Sequence, residues 1–228
     1  MDLLYTRPGM DEVKTRKDIV YKGSDGAVLK FDIYYSNNSK ISDIPTVALI
    51  HGSSSIKSIK DVQLFQSWGK VLAASGFNAV VFNWRPEDNP QDIKDFVNFI
   101  SNNYNDLMLN INNINFLAFS SGVEIGVKNV IEINTGFINK IVVYYGKIDE
   151  SIIKIMDPER LPKFLIVMGY LDDIYSPNCN DYFIKEAKNL GCEVEFNMHP
   201  EGEHGFDAFN EGEKTSKIIE DTIRFISK

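Results

Sequence analysis

From Thr46 to Ser227, apolar runs that read as strands alternate with stretches of helical periodicity, and this alternation constrains the fold more than any other feature. The runs "TVALIH", "FNAVVFNW", "INFLAF", "KIVVYYG", "KFLIVMG" and "CEVEFNMH" read as strands, "FNAVVFNW" as a buried one. Helical spacing fills the gaps: "VQLFQSWGKVLAAS", "PQDIKDFVNFISNNY" with Pro90 at its mouth, "GVEIGVKNVIEI", "CNDYFIKEAKNLG", and "GEKTSKIIEDTIRFIS" at the end. Upstream, "TRKDIVYKGSDGAVLKFDIYYS" reads as two strands around Ser24-Asp25-Gly26, where Asp-Gly supplies the positive φ angles of a tight hairpin. The expectation is an α/β fold: a mostly parallel central sheet, an N-terminal antiparallel hairpin, and helices on both faces.

A length of 228 residues with 43% hydrophobic content suits one domain spanning 1–228, and no linker or repeat interrupts it. The asparagine-rich "SNNYNDLMLNINNIN" interleaves Leu, Met and Ile, so it reads as a helix end and loop entering a strand. A net charge of -8 repels phosphate backbones and anionic lipid, which argues against nucleic-acid and membrane partners. The start, "MDLLYTRPGMDEVKTRKD", is charged and broken by Pro8-Gly9, with no apolar export segment. The expected location is the cytoplasm, where Cys179 and Cys192 stay reduced, and neither has a histidine at zinc-finger spacing.

Ser120, in "LAFSSGVEIG", falls between the strand "INFLAF" and a helix beginning near Ser121. A tight strand-to-helix turn needs small residues two positions either side of its centre, and Ala118 and Gly122 meet that need in a G-x-S-x-G pattern with alanine for the first glycine. Of three histidines, His51 ends the strand in "ALIHGSSS", where backbone N–H groups could face a developing oxyanion. His199 ends a strand in "NMHP" and reads as structural, whereas His204 sits in the glycine-flanked loop "PEGEHGF". Asp172 and Asp173 lie in "GYLDDIYSP", after the penultimate strand. Taken alone these are a helix-capping serine, a loop histidine and turn aspartates. Together they follow the order Ser, Asp, His, each just past the carboxyl end of a strand, where open parallel sheets bind ligands.

On these residues the chain resembles the α/β-hydrolase family, from about Tyr21 to the C-terminus, and most closely its small carboxylesterases of the hormone-sensitive-lipase and dienelactone-hydrolase type. The likeness rests on "IHGSSS" as the oxyanion loop containing His51 and Gly52, "GFNAVVFNWRP", "AFSSG", "GYLDD" and "GEHGF". Asn83-Trp84-Arg85 stands where those esterases usually carry Asp-Tyr-Arg, and His-Gly-Ser-Ser replaces His-Gly-Gly-Gly. The resemblance implies a serine hydrolase of small soluble esters, without a cofactor or metal. It implies Ser120 as nucleophile, His204 as general base and Asp172 as acid, three residues after Gly169; counting back from Pro177 favours Asp173 instead. It also implies oxyanion donors on the backbone of Ser121 and Ser53, or Ser54 if the loop turns one residue later. Only about one short helix fits between "KIVVYYG" and "KFLIVMG", so little or no cap is expected, and Trp68, Trp84, Tyr170 and Tyr175 either line an aromatic pocket or pack in the core. An amidase, formamidase, lactonase or short-peptide hydrolase would use the same triad, and a binding protein could keep the fold without turnover.

Overall fold

The structure, a computed structural model, describes residues 2–23, 28–37, 44–53, 56, 58–85, 91–133 and 136–228. Its strands are β1 (Lys14–Lys22), β2 (Leu29–Tyr35), β3 (Pro45–Ile50), β4 (Asn78–Phe82), β5 (Asn110–Phe119), β6 (Ile138–Tyr144), β7 (Lys163–Gly169) and β8 (Val194–His199). They form one sheet in the order β1-β2-β4-β3-β5-β6-β7-β8. β1 and β2 pair antiparallel, β2 lies antiparallel to β4, and β3 to β8 run parallel, as the sequence predicts for an α/β-hydrolase fold. The hairpin turn at Ser24-Asp25-Gly26 and the helix-mouth Pro90 lie outside the described residues.

Period-two alternation sends each strand's side chains to two cores. Ala48, Ile50, Phe116 and Ala118 face Phe96 and Ile100 of α2 (Gln91–Leu107), Val130 of α3 (Lys128–Glu132), and Phe183 and Ala187 of α4 (Asp181–Asn189). Val47, Leu49, Leu117 and Phe119 face Trp68, Val71 and Leu72 of α1 (Gln63–Ala74), and Ile218, Ile219 and Phe225 of α6 (Glu213–Ser227). A four-residue α5 (Phe206–Phe209) precedes α6. No helix among the described residues is long and apolar enough to cross a membrane.

Two elements depart from the sequence reading. β5 begins at Asn110 rather than Ile114, because the asparagines are bonded as a strand margin: Thr46 Oγ1 donates to Asn110 O at 3.0 Å, and Asn139 Nδ2 donates to Asn113 Oδ1 at 2.9 Å. The helix after Ser120 opens as a π-helical turn, Val123–Val127, before α3. It passes so close to β3 that a Cβ on Gly122 would stand 2.2 Å from His51 O, and one on Gly126 2.6 Å from Ile50 Cγ2.

Candidate active site

Ser120 directly follows β5 with φ +52, in the left-handed region that side chains with a Cβ seldom occupy. The strain costs on the order of 1 kcal/mol and has to be held from outside. Ser120 N donates to Tyr144 O and Ser120 O accepts from Val123 N, both at 3.0 Å. Glycines clear the space: a Cβ on Gly146 would stand 2.5 Å from Ser120 O, and Gly122 lets the helix cross His51. Ala118 is fully buried on the α2 and α3 side, so its methyl replaces the expected glycine without touching the turn's crowded side.

The loops after β7 and β8 bring the other two residues to this serine. Ser120 Oγ lies 2.9 Å from His204 Nε2, and His204 Nδ1 lies 3.0 Å from Asp172 Oδ2. The second carboxylate oxygen accepts from Ile174 N at 2.8 Å and Tyr175 N at 2.9 Å, which fixes the side chain while excluding it from water. A carboxylate accepts only, so Nδ1 carries the hydrogen and Nε2 is left to accept the serine proton. Asp173 is exposed. The two loops are laced together: Tyr170 N donates to His199 O and Leu171 N to Gly202 O, both at 2.9 Å, and a Cβ on Gly169 would lie 2.3 Å from Gly202 O.

His51 and His199 stand apart from this relay. His51 is buried, donates from Nδ1 to Gly52 O at 2.7 Å, and accepts from Trp84 N at Nε2; burial lowers its pKa to about 4, against a smaller upward pull from the Gly52 carbonyl. Trp84 Nε1 donates to His51 O at 3.2 Å, so the indole braces the end of β3. His199 donates from Nε2 to Thr215, whose hydroxyl in turn donates to Asn210 O, and accepts from Glu201 N at Nδ1. It ties the turn before His204 to α6. Gly52 presses on the elbow, and Ser53 N donates to Ser121 Oγ at 2.6 Å; Ser54 lies outside the described residues.

Sequence reasoning missed Tyr145 and Asp207. The Tyr145 ring stands edge-on to His204 at 4.9 Å, and its hydroxyl donates to Asp207 Oδ1 at 2.9 Å. Trp68 Nε1 donates to the other oxygen at 2.8 Å, so Trp68 is a core donor and not a pocket wall. Burial raises the pKa of Asp207, opposed by these two hydrogen bonds. The available signal was an aspartate set among Phe206, Ala208 and Phe209 just after the histidine. The Asn83-Trp84-Arg85 segment is equally structural: Arg85 forks onto buried Asp92 from Nε and Nη2 at 2.8 Å, and Lys22 Nζ adds 2.9 Å to the same carboxylate.

The BD-FAE family model matches residues 31–156. Among solved structures, Thermogutta terrifontis esterase 2 phosphoramylated by tabun shares 17% identity at a TM-score of 0.72, with 96% of each chain covered. A bifunctional GH43-CE of Bacteroides eggerthii shares 22% at a TM-score of 0.73, over 94% of this chain and 38% of that one. MGS-M1, an alpha/beta hydrolase enzyme from a Medee basin deep-sea metagenome library, shares 16% at 0.70, over 94% and 97%. Likeness at this identity is likeness of fold. No curated protein sequence matches.

Proposed function

The chain belongs to the BD-FAE family of esterase-type α/β-hydrolases, and we propose that it hydrolyses a small soluble carboxylic ester through an acyl-enzyme on Ser120. The observation that carries this reading is the continuous relay from Ser120 Oγ through His204 to a water-excluded Asp172, at 2.9 and 3.0 Å. His204 Nε2 takes the hydroxyl proton as Oγ attacks the ester carbonyl, and Asp172 stabilises the imidazolium. The tetrahedral oxyanion forms beside the Ser121 N–H and the His51-Gly52-Ser53 loop, at the positive end of the helix dipole. Collapse expels the alcohol, which receives the proton from His204, and a water repeats the sequence on the acyl group.

The described thiols do not compete as nucleophiles, because burial pushes Cys179 and Cys192 each up to about 11. Between β6 and β7 the chain forms only a short 3-10 turn, Glu150–Lys154, so no helical cap is inserted there. Exposed Tyr170, Leu171 and Ile174 on the Asp172 loop offer apolar contact to one side of a small ester. The test is a fluorophosphonate probe with a panel of p-nitrophenyl esters of rising chain length, set beside amides and lactones. The native protein should be labelled at Ser120 and favour short esters; Ser120→Ala should remove labelling and turnover while leaving the fold intact. Labelling elsewhere, or faster amide than ester cleavage, overturns the reading.

A further inference from the structure

A backbone oxyanion donor has to point at solvent or substrate, yet the Ser53 N–H does neither. It donates to Ser121 Oγ at 2.6 Å, and Gly52 packs so tightly alongside that a Cβ there would stand 3.1 Å from the same oxygen. The Ser121 side chain therefore bridges the elbow and the loop after β3, on the side of the elbow against which Gly52 packs. A hydroxyl that accepts a hydrogen bond keeps its own proton to give. Among the described residues, Ser121 Oγ has no acceptor for that proton.

Resting on the reading of Ser120 as nucleophile, we propose that the Ser121 hydroxyl is itself an oxyanion donor, polarised by the Ser53 N–H behind it. Ser121 then gives the developing charge two hydrogen bonds, one from its backbone N–H and one from Oγ–H, while Ser53 acts one bond removed. A donor that is already accepting is a stronger donor, since each bond of a chain polarises the next. The arrangement also accounts for a loop built as His-Gly-Ser: Ser53 needs no freedom to swing toward substrate, because its N–H is satisfied by the hydroxyl it activates. No proton leaves Ser121 at any step, and the role is hydrogen bonding alone.

The competing possibility is that the hydroxyl only plugs the hole and must rotate away before Ser53 can act. The two predict opposite signs. If Ser121 Oγ is a donor, Ser121→Ala should lower kcat and kcat/KM together by about 10²-fold with KM little changed, the pattern of an interaction made only in the transition state. Ser121→Thr, which keeps a hydroxyl, should recover most of that loss. If the hydroxyl is a plug, Ser121→Ala should match or exceed the native rate, and the proposal falls. A second measurement does not depend on how the variants fold: in the crystal structure of the native protein carrying a phosphonate on Ser120, the phosphoryl oxygen should lie about 3 Å from both Ser121 N and Ser121 Oγ. A Ser121 side chain turned away, with Ser53 N on the oxygen, overturns it. Failure of the native protein to label at Ser120 removes the reading of the site and this inference with it; native labelling with a fully active Ser121→Ala removes this inference alone.

Discussion

Asp172 and Asp173 are one residue type in adjacent positions, and what separates them is hydrogen bonding. Asp172 turns back over its own loop, takes Ile174 N and Tyr175 N on one oxygen, and presents the other to His204, while Asp173 stays in water. Two N–H donors hold a carboxylate at fixed aim, as an orienting acid requires. Asp172→Asn keeps the shape but loses the charge that stabilises imidazolium and places an amide N–H where an acceptor is needed, so kcat should drop by about 10³- to 10⁴-fold. Asp173→Asn, measured alongside, should stay within a few-fold of native; a collapse confined to Asp173→Asn would reverse the assignment. The sequence narrows the proposed acid to these two residues, because chain order and strand ends are legible in it. It does not choose between them, because the choice is made by a turn whose two N–H groups point at one side chain. Nor does it reveal that the Ser53 N–H faces Ser121 Oγ, a contact across 68 positions of chain.

At the scale of elements, buried parallel strands announce themselves as unbroken apolar runs, and that is why the existence and order of β3 to β7 are legible, though not every boundary. The π-helical turn is not, since the stretch has ordinary helical spacing and its close passage over His51 O and Ile50 is a contact made across the chain. The start of β5 is hidden for a related reason: its asparagines read as loop until their partners on β3 and β6 are known. The end of β3 shows how such an element is held. His51 is locked there as the neutral ring, bonded to Gly52 O and to Trp84 N, with a pKa lowered to about 4 mainly by burial. In the unfolded chain a histidine takes up its proton near 6.5, so between these values the unfolded state binds more protons and folding weakens. The stability that His51 contributes is thus complete above about pH 6.5 and lost as pH falls toward 4, on the order of 3 kcal/mol at the lower limit. Urea unfolding from pH 7 to pH 4 should show this decline, and His51→Gln should start less stable but fall less steeply. Some slope will remain from His199, whose pKa burial also lowers. Equal slopes in the two proteins would show that His51 does not carry the effect.

The whole molecule adds a field that no single side chain of the relay supplies. The net charge is -8, and the loops around the site contribute to it through exposed Asp173, Glu201 and Glu203, with Glu124 exposed on the turn that follows the elbow. Such a potential would not alter the proposed attack of Ser120 on a bound carbonyl, but it lowers the local concentration of any substrate that carries negative charge. Screening removes the effect, because at an ionic strength of about 0.1 M the Debye length is already about 10 Å and it shortens further with added salt. A p-nitrophenyl ester with a neutral acyl chain and one of equal length ending in a carboxylate therefore provide a matched pair. At low salt the neutral ester should have the larger kcat/KM, with kcat values closer together than kcat/KM, since the penalty falls on encounter. Raising the ionic strength to about 0.5 M should lift kcat/KM for the charged ester several-fold and leave the neutral one nearly unchanged. A ratio that does not respond to salt would mean that discrimination comes from contact within the site. The exposed Leu171 and Ile174, whose side chains give a carboxylate no compensating bond, would then be the residues to replace next.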